Sequence, residues 1–300
     1  MSLFAFRVFV AVIENASFVK AAESIHLTPS AVSHSIAKLE EDLQLTLFTR
    51  NRLGAQPTAD GEKLYPHVLS VLNAYERFSQ EVSQVKGLTT GTVRIAVFHS
   101  VCMNWIPDIV SSFREMHPGV EINVSQGNYY DVLGWLSSGN SDLGFLSLTV
   151  NTQGFDCVPL FRDRMVCVTP KDYRPANAYY MTLEDILANK IIWQQSGDDL
   201  EVHAMLSGKS MSLNHNKSTV QYDHAIIALA EAGLGIGLIP ELVLKGISHN
   251  AAVYPVDPPW YRTIAIASLE NRRKSHAAEA MQSHIIDFCR RHFGEFKPEV

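Results

Sequence analysis

In this 300-residue sequence the side chains best spaced to do chemistry are the hydrogen-bonding residues Ser30, Ser33, His34 and Lys38. They lie in the segment Thr28 to Leu43, where Thr28 can cap a helix and Pro29 fits its first position, at which a missing N–H costs nothing. Drawn on a 100° wheel, Val32, Ile36, Leu39 and Leu43 form one apolar stripe, and Ser30, Ser33, His34, Ala37 and Lys38 fall opposite it. A face of small residues and hydrogen-bonders has the composition needed to enter a major groove and touch base edges and phosphates. Arg50 and Arg52 follow on a turn, where they suit phosphates or a minor groove. The acidic Glu40, Glu41 and Asp42 come at the far end of the helix, away from the groove if its N-terminal half inserts.

A second set of candidates comes from strand ends. In open parallel sheets, ligands bind beyond the carboxyl ends of strands, and two such edges facing one another make a cleft. The residues expected there are His99, Ser100 and Cys102, then Asn128, then Ser147, with Gln194, Tyr222 and Asp223 from the other side. Ser100 and Asn128 stand just before helices, where backbone N–H groups can hold an anion. No lysine or arginine occurs in these loops, so the expected ligand is a small polar or anionic molecule held by neutral hydrogen bonds.

Other chemistries are disfavoured. Gly233, Gly235 and Gly237 give G-x-G-x-G, which lacks the final spacing of a dinucleotide loop and follows a helix into a strand, the reverse of the required order. G-x-S-x-G, H-E-x-x-H and Walker A sequences are missing, and the 12 histidines show no metal-ligand spacing. No catalytic residue, metal or cofactor is therefore expected. Cys102, Cys157, Cys167 and Cys289 have no C-x-x-C spacing, which argues against a zinc site or a disulfide framework. Cys102, near a helix start, could be a thiol of lowered pKa, but a small buried hydrophobe is the favoured reading.

A net charge of −6 is awkward for a protein that touches DNA, and residues 1 to 62 hold five cations against seven acids. Few phosphates can be neutralised, so non-specific binding should be weak. The apolar run Leu3 to Ile13 is interrupted by Arg7 and reads as a first helix rather than a leader, and no run of about 20 apolar residues suggests a membrane span. A cytoplasmic location is expected.

The elements that position these residues follow from periodicity. Phe6, Phe9, Val10 and Ile13 give the first helix, and Ser17 caps a second carrying Phe18, Ala21, Ala22 and Ile25. His26 and Leu27 form the break before the third helix. Thr46 to Thr49 and Ala55 to Thr58 should pair as a two-stranded wing. Thr58 then caps a long helix in which Leu64, Val68, Val71, Tyr75, Phe78, Val82 and Val85 alternate four and three apart, a heptad seam that a partner chain should cover. Gly87 ends that helix, and Leu88 to Gly91 reads as a hinge. From Thr92 onward, short apolar runs alternate with helices, which implies a parallel sheet with right-handed crossovers and two α/β lobes.

The segments ASFVKAAESI from Ala16, TPSAVSHSIAKLE from Thr28, LFTR from Leu47 and PTADG from Pro57 together resemble the N-terminal signature of the LysR-type transcriptional regulators. The block AGLGIGLIP from Ala232 extends the resemblance more weakly. The implied fold class is α/β with an N-terminal all-α winged helix-turn-helix, a coiled-coil linker helix and a two-lobed periplasmic-binding-protein-like effector domain. The corresponding domains are 1–58, 59–90 and 91–300, with lobe I at about 91–162 and 267–300 and lobe II at about 163–266. The resemblance also implies a double-stranded DNA partner with an inverted-repeat site, a small-molecule effector, a homodimer that joins into a homotetramer, and no enzymatic activity. It leaves RNA polymerase open as a further partner. One branch of the family senses peroxide through cysteines in the second lobe, but the matching stretch here, Trp193 to Leu206, has none. The rival expectation is a solute-binding or enzymatic α/β domain that acts without DNA.

Overall fold

The computed structural model describes residues 1–51, 54–85, 91–194, 200–206 and 218–297. The chain divides into two compact units, Met1–Thr90 with Ser137–Asn140, and Gly91–Leu136 with Ser141–Val300. Among the described residues no helix is long and apolar enough to cross a membrane.

The first unit opens with helices α1 (Leu3–Asn15), α2 (Phe18–Ser24) and α3 (Pro29–Leu43). Ser2, Ser17 and Thr28 each accept a hydrogen bond from a backbone N–H in the first turn of the helix they cap. Val8, Phe9 and Val12 of α1 are buried against Ala21 and Ala22 of α2 and Val32, Ile36 and Leu39 of α3, so the apolar stripe of α3 does face a core. His26 takes a positive φ of 55° at the break, and the Leu27 N–H reaches back to the Ala22 carbonyl.

The wing consists of strands β1 (Phe48–Asn51) and β2 (Gly54–Pro57), paired antiparallel with Phe48 opposite Pro57 and Asn51 opposite Gly54. It begins later than sequence spacing suggests, so that Arg50 belongs to a strand rather than to the turn. Arg52 lies outside the described residues, as does the side chain of Arg50. Gly54 is required where it stands: its φ is +115°, and a Cβ would meet the Ala16 carbonyl oxygen, which accepts from the Ala55 N–H.

Helix α4 (Ala59–Val85) starts at Thr58, whose hydroxyl accepts from the Gly61 N–H and donates to the Thr46 carbonyl. The heptad seam is divided in use. Leu64 and Val68 pack on the core of the first unit, whereas Val71, Tyr75, Phe78 and Val82 are exposed. The expectation that one partner covers the whole seam is therefore corrected for its first turns. The proposed hinge at 88–91 falls on residues outside the described ones, apart from Gly91.

In the second unit, β3 (Gly91–Val97), α5 (His99–Asn104), α6 (Ile106–Met116), β4 (Val120–Gln126), α7 (Tyr129–Ser138) and β5 (Leu143–Ser147) build lobe I. Strand β3 runs parallel to β4 and β5. The long strand β6 (Phe155–Thr169) then leaves lobe I for lobe II. Lobe II adds β7 (Met181–Thr182), α8 (Leu183–Leu187), β8 (Ile191–Gln194), α9 (Leu200–Leu206), β9 (Ser218–Val220), α10 (Asp223–Glu231) and β10 (Ile236–Pro240). A 3-10 turn at Glu241–Leu244 and β11 (Ala252–Asp257) follow, and β12 (Tyr261–Leu269) and α11 (His276–Phe293) return to lobe I. Strand β12 pairs with the first part of β6 along its whole length and with β5 over Ile264 to Ala267. Residues Tyr261 to Leu269 are hydrogen-bonded to residues between Phe155 and Arg164, so β12 joins the sheet of β5 and β6 directly after Trp260. The sheet is mixed rather than parallel, since β6 and β12 run antiparallel to each other and to their neighbours.

Candidate DNA-reading helix and interlobe site

On α3 the outer face presents Ser30, His34, Ala37 and Lys38 exposed, with Ser33 half-buried. The Ser30 hydroxyl is tied to the capping Thr28 hydroxyl at 3.0 Å, which fixes the first turn but partly occupies that group. His34 and Lys38 are one helical turn apart and project from the same face. Glu40, expected only to keep out of the groove, has a structural task. Its Oε1 accepts from the backbone N–H groups of Leu47 and Phe48 at 2.7 and 3.2 Å, fastening the entry to the wing onto the end of α3.

In the second unit a buried cluster sits where the two lobes meet. Arg262, 4% exposed on β12, donates from Nε and Nη2 to Asp163 Oδ2 on β6 at 2.9 and 2.7 Å. Its Nη1 donates to the Tyr129 hydroxyl at 3.0 Å, its Nη2 to Ser100 Oγ at 2.7 Å, and the guanidinium lies 4.9 Å from the centre of the Phe98 ring. Asp163 Oδ1 also accepts from the Leu242 N–H just beyond β10, so this one carboxylate ties β6, β12 and the 3-10 turn together. Burial alone would lower the Arg262 pKa, but Tyr129, Asp163 and Glu201 more than offset it and hold the group charged.

Around this cluster the expected residues separate. His99 begins α5 with Nδ1 3.2 Å from Gln126 Nε2, and its ring centre is 6.1 Å from that of His224 on α10, across from the other lobe. Tyr222 stacks on His224 at 5.5 Å. Asp223 is buried, and Gln194 shares a small cavity with it, lined also by Met165, Trp193, Val202 and Leu238. Burial pushes the Asp223 carboxyl up, against the pull of Arg262, His99 and His224, with Glu201 adding to the rise.

The others are otherwise engaged. Asn128 Oδ1 accepts from the Tyr130 and Asp131 N–H groups and so caps α7, and the Asp131 carboxylate accepts the Asn128 N–H. Ser147 bonds its own loop at Thr149. Cys102 is half-buried, and burial raises its thiol rather than lowering it. The expectation of a site without arginine is corrected by Arg262, which takes the Ser100 hydroxyl. Arg262, Asp163, Tyr129 and Glu201 were missed. For Asp163 and Arg262 the signal is a charge inside an apolar strand, as in Leu160 to Val168 and in Tyr261 to Ser268, whereas Tyr129 and Glu201 sit on helices and carry no such mark.

Two family models match the chain, a bacterial regulatory helix-turn-helix protein model of the lysR family at residues 3–62 and a LysR substrate binding domain at residues 86–293. The chain belongs to the LysR family of transcriptional regulators. As a LysR-type regulator it couples a DNA-binding domain to a substrate-binding effector domain. It is 27% identical to the HTH-type transcriptional regulator YvbU of Bacillus subtilis (strain 168) over 98% of this chain and 99% of that one. It is likewise 27% identical to the transcriptional dual regulator GltC of the same strain, over 86% of this chain and 88% of GltC. Among solved structures, full-length CbnR complexed with its target DNA superposes with a TM-score of 0.71 at 16% identity, covering 96% of this chain and 100% of CbnR.

Proposed function

We propose that this LysR-type regulator reads an inverted-repeat promoter site through α3, with His34, Ser33 and Ser30 at base edges and Lys38, Arg50 and Arg52 on the backbone. The observation that carries this reading is the division of α3 itself. Val32, Ile36 and Leu39 are buried in a three-helix core, while His34 and Lys38 stand exposed on the opposite face. Two chains pair along the exposed stretch of α4 from Val71 to Val82, which presents two recognition helices, and effector domains join dimers into a tetramer in the cytoplasm. A small polar effector binds between the lobes near His99, Tyr222 and Asp223, and its differential affinity for open and closed lobes alters DNA binding. The GltC and CbnR likenesses support the regulatory reading, and CbnR in its complex is bound to target DNA. A gel shift with the DNA upstream of the protein's own coding region tests it: a shifted band competed by the same fragment and not by unrelated DNA is expected. Equal competition by both would remove specific recognition.

A further inference from the structure

The lobes are joined by more than the strands that pass between them. At the end of β10 the 3-10 turn Glu241–Leu244 places two consecutive side chains in different cores. Leu242, 1% exposed, belongs to the lobe I core of Val97, Trp105 and Ile264. Val243, 3% exposed, belongs to the lobe II core of Val168, Ile192 and Ile239. A connecting strand can bend without losing its packing, but a side chain seated in the opposite lobe must be withdrawn before that lobe can move away. Because packed cores hold discrete arrangements rather than deforming continuously, such a seat is either filled or vacated.

The backbone of the same residue closes a ring of hydrogen bonds. The Leu242 N–H donates to Asp163 Oδ1 at 3.0 Å, and Asp163 Oδ2 accepts from Arg262 at 2.9 and 2.7 Å. Arg262 Nη2 donates to Ser100 Oγ at 2.7 Å. Asn104 Nδ2, at the end of α5, donates to the Ser100 carbonyl at 2.8 Å and to the Leu242 carbonyl at 3.1 Å, which returns the ring to its start. Both acceptors are carbonyl oxygens, so the orientation of the Asn104 amide is fixed by its partners. Ser100, Asp163, Leu242 and Arg262 are at most 4% exposed, and hydrogen bonds so removed from water reinforce one another. The Ser100 hydroxyl accepts from Arg262 and keeps its own proton to donate. The ring therefore runs from a side chain of the interlobe site to the backbone that seats Leu242.

We propose that Leu242 and this ring form a latch between the lobes: the lobes part only as Leu242 leaves the core of lobe I, and Asn104 sets how readily it does so. The latch is a property of the free chain and does not depend on the effector reading, although a molecule bound through the Ser100 hydroxyl would act on it directly. Hydrogen exchange read by mass spectrometry on the full chain tests it, with wild type set against Asn104→Ala, which removes two hydrogen bonds and no apolar side chain. Peptides covering 99–104, 222–227 and 241–244 are expected to exchange at least tenfold faster as a group, because parting of the lobes exposes both sides of the interlobe surface at once. Strands β3 and β5 and the three-helix core of the first unit should exchange as before. Leu242→Ala should speed the same group of peptides, and it serves as the second variant should Asn104→Ala not fold. Faster exchange confined to 99–104 would reduce Asn104 to a support for the end of α5 and overturn the latch. A uniform rise across the second unit, or no change in either variant, would overturn it equally, while the gel shift still judges the regulatory reading by itself.

Discussion

Arg262 and Asp163 lie 99 positions apart in sequence and meet through two hydrogen bonds from one guanidinium to one carboxylate oxygen, at the point where both connecting strands pass between the lobes. Both are almost wholly buried, at 4% and 1% exposure. Such a pair adds little net stability compared with an apolar pair of the same shape, but removal of one partner strands the other charge in the interior.

Asp163→Asn should therefore cost about 3–5 kcal/mol in urea unfolding followed by a probe of the second unit. Asp163→Leu combined with Arg262→Met should recover much of that loss. A double-mutant cycle measures the coupling directly, and strictly additive losses would show that the two residues do not act as a pair.

On α3, His34→Ala should cost about 1–3 kcal/mol of operator affinity and relax preference at one base position. Lys38→Ala should weaken all sequences alike and lower the slope of log affinity against log salt by about 1. Glu40→Ala separates architecture from readout, because it removes the acceptor of the Leu47 and Phe48 N–H groups. It should lower the melting temperature of the DNA-binding unit without altering base preference. Equal, sequence-independent losses for His34→Ala and Lys38→Ala would eliminate direct readout by His34.

His284 on α11 provides a pH test. It is 7% exposed, its Nε2 lies 2.9 Å from the Ser112 hydroxyl, and burial above all holds its pKa below the ordinary value, with Arg291 and His117 acting in the same direction. The unfolded chain binds more protons at this site as pH falls through the ordinary histidine pKa of about 6.5, so the native state loses stability in that window and stops losing it below the folded-state pKa. Melts of the wild type and His284→Gln from neutral to mildly acid pH should converge or cross as pH falls. Parallel curves would mean that His284 titrates alike in both states.

What could be read from the sequence was what local periodicity and capping decide. Thr28, Pro29 and the stripe Val32, Ile36 and Leu39 fix α3 within a dozen residues, and so the helix and its outer face were legible. The first strand of the wing starts two residues later and the second one residue earlier than expected, and Gly54 lies against the Ala16 carbonyl, a tertiary contact with no local trace. Strand-end reasoning names His99, Ser100, Tyr222 and Asp223, which the structure sets around or near the Arg262 cluster. It could not reach Asp163 and Arg262, which lie within β6 and β12 and meet only through the pairing of those two strands, or Glu201, which lies within α9. Asn128 was read as an anion donor because a helix start offers free N–H groups. Asp131 three residues later, forming a reciprocal cap, was the local clue that those groups were spoken for.

The last prediction concerns α4, where neighbouring positions of one seam should behave in opposite ways. Val68 is 8% exposed and packs on the core of the first unit, whereas Val71 and Phe78 are 44% and 63% exposed. A charge at Val68 would be buried within its own chain, so Val68→Glu should unfold the DNA-binding unit outright. Val71→Glu with Phe78→Glu puts charges at exposed positions of the single chain, so the monomer's own stability should change by no more than about 0.5 kcal/mol at each site. Against a second copy the same charges would be desolvated on an apolar seam, and sedimentation equilibrium should find folded monomers that have lost the two-half-site contribution to DNA affinity. A folded double variant that still sediments as a dimer would place the interface on another surface, and a double variant that unfolds would show that Val71 or Phe78 serves the chain's own core.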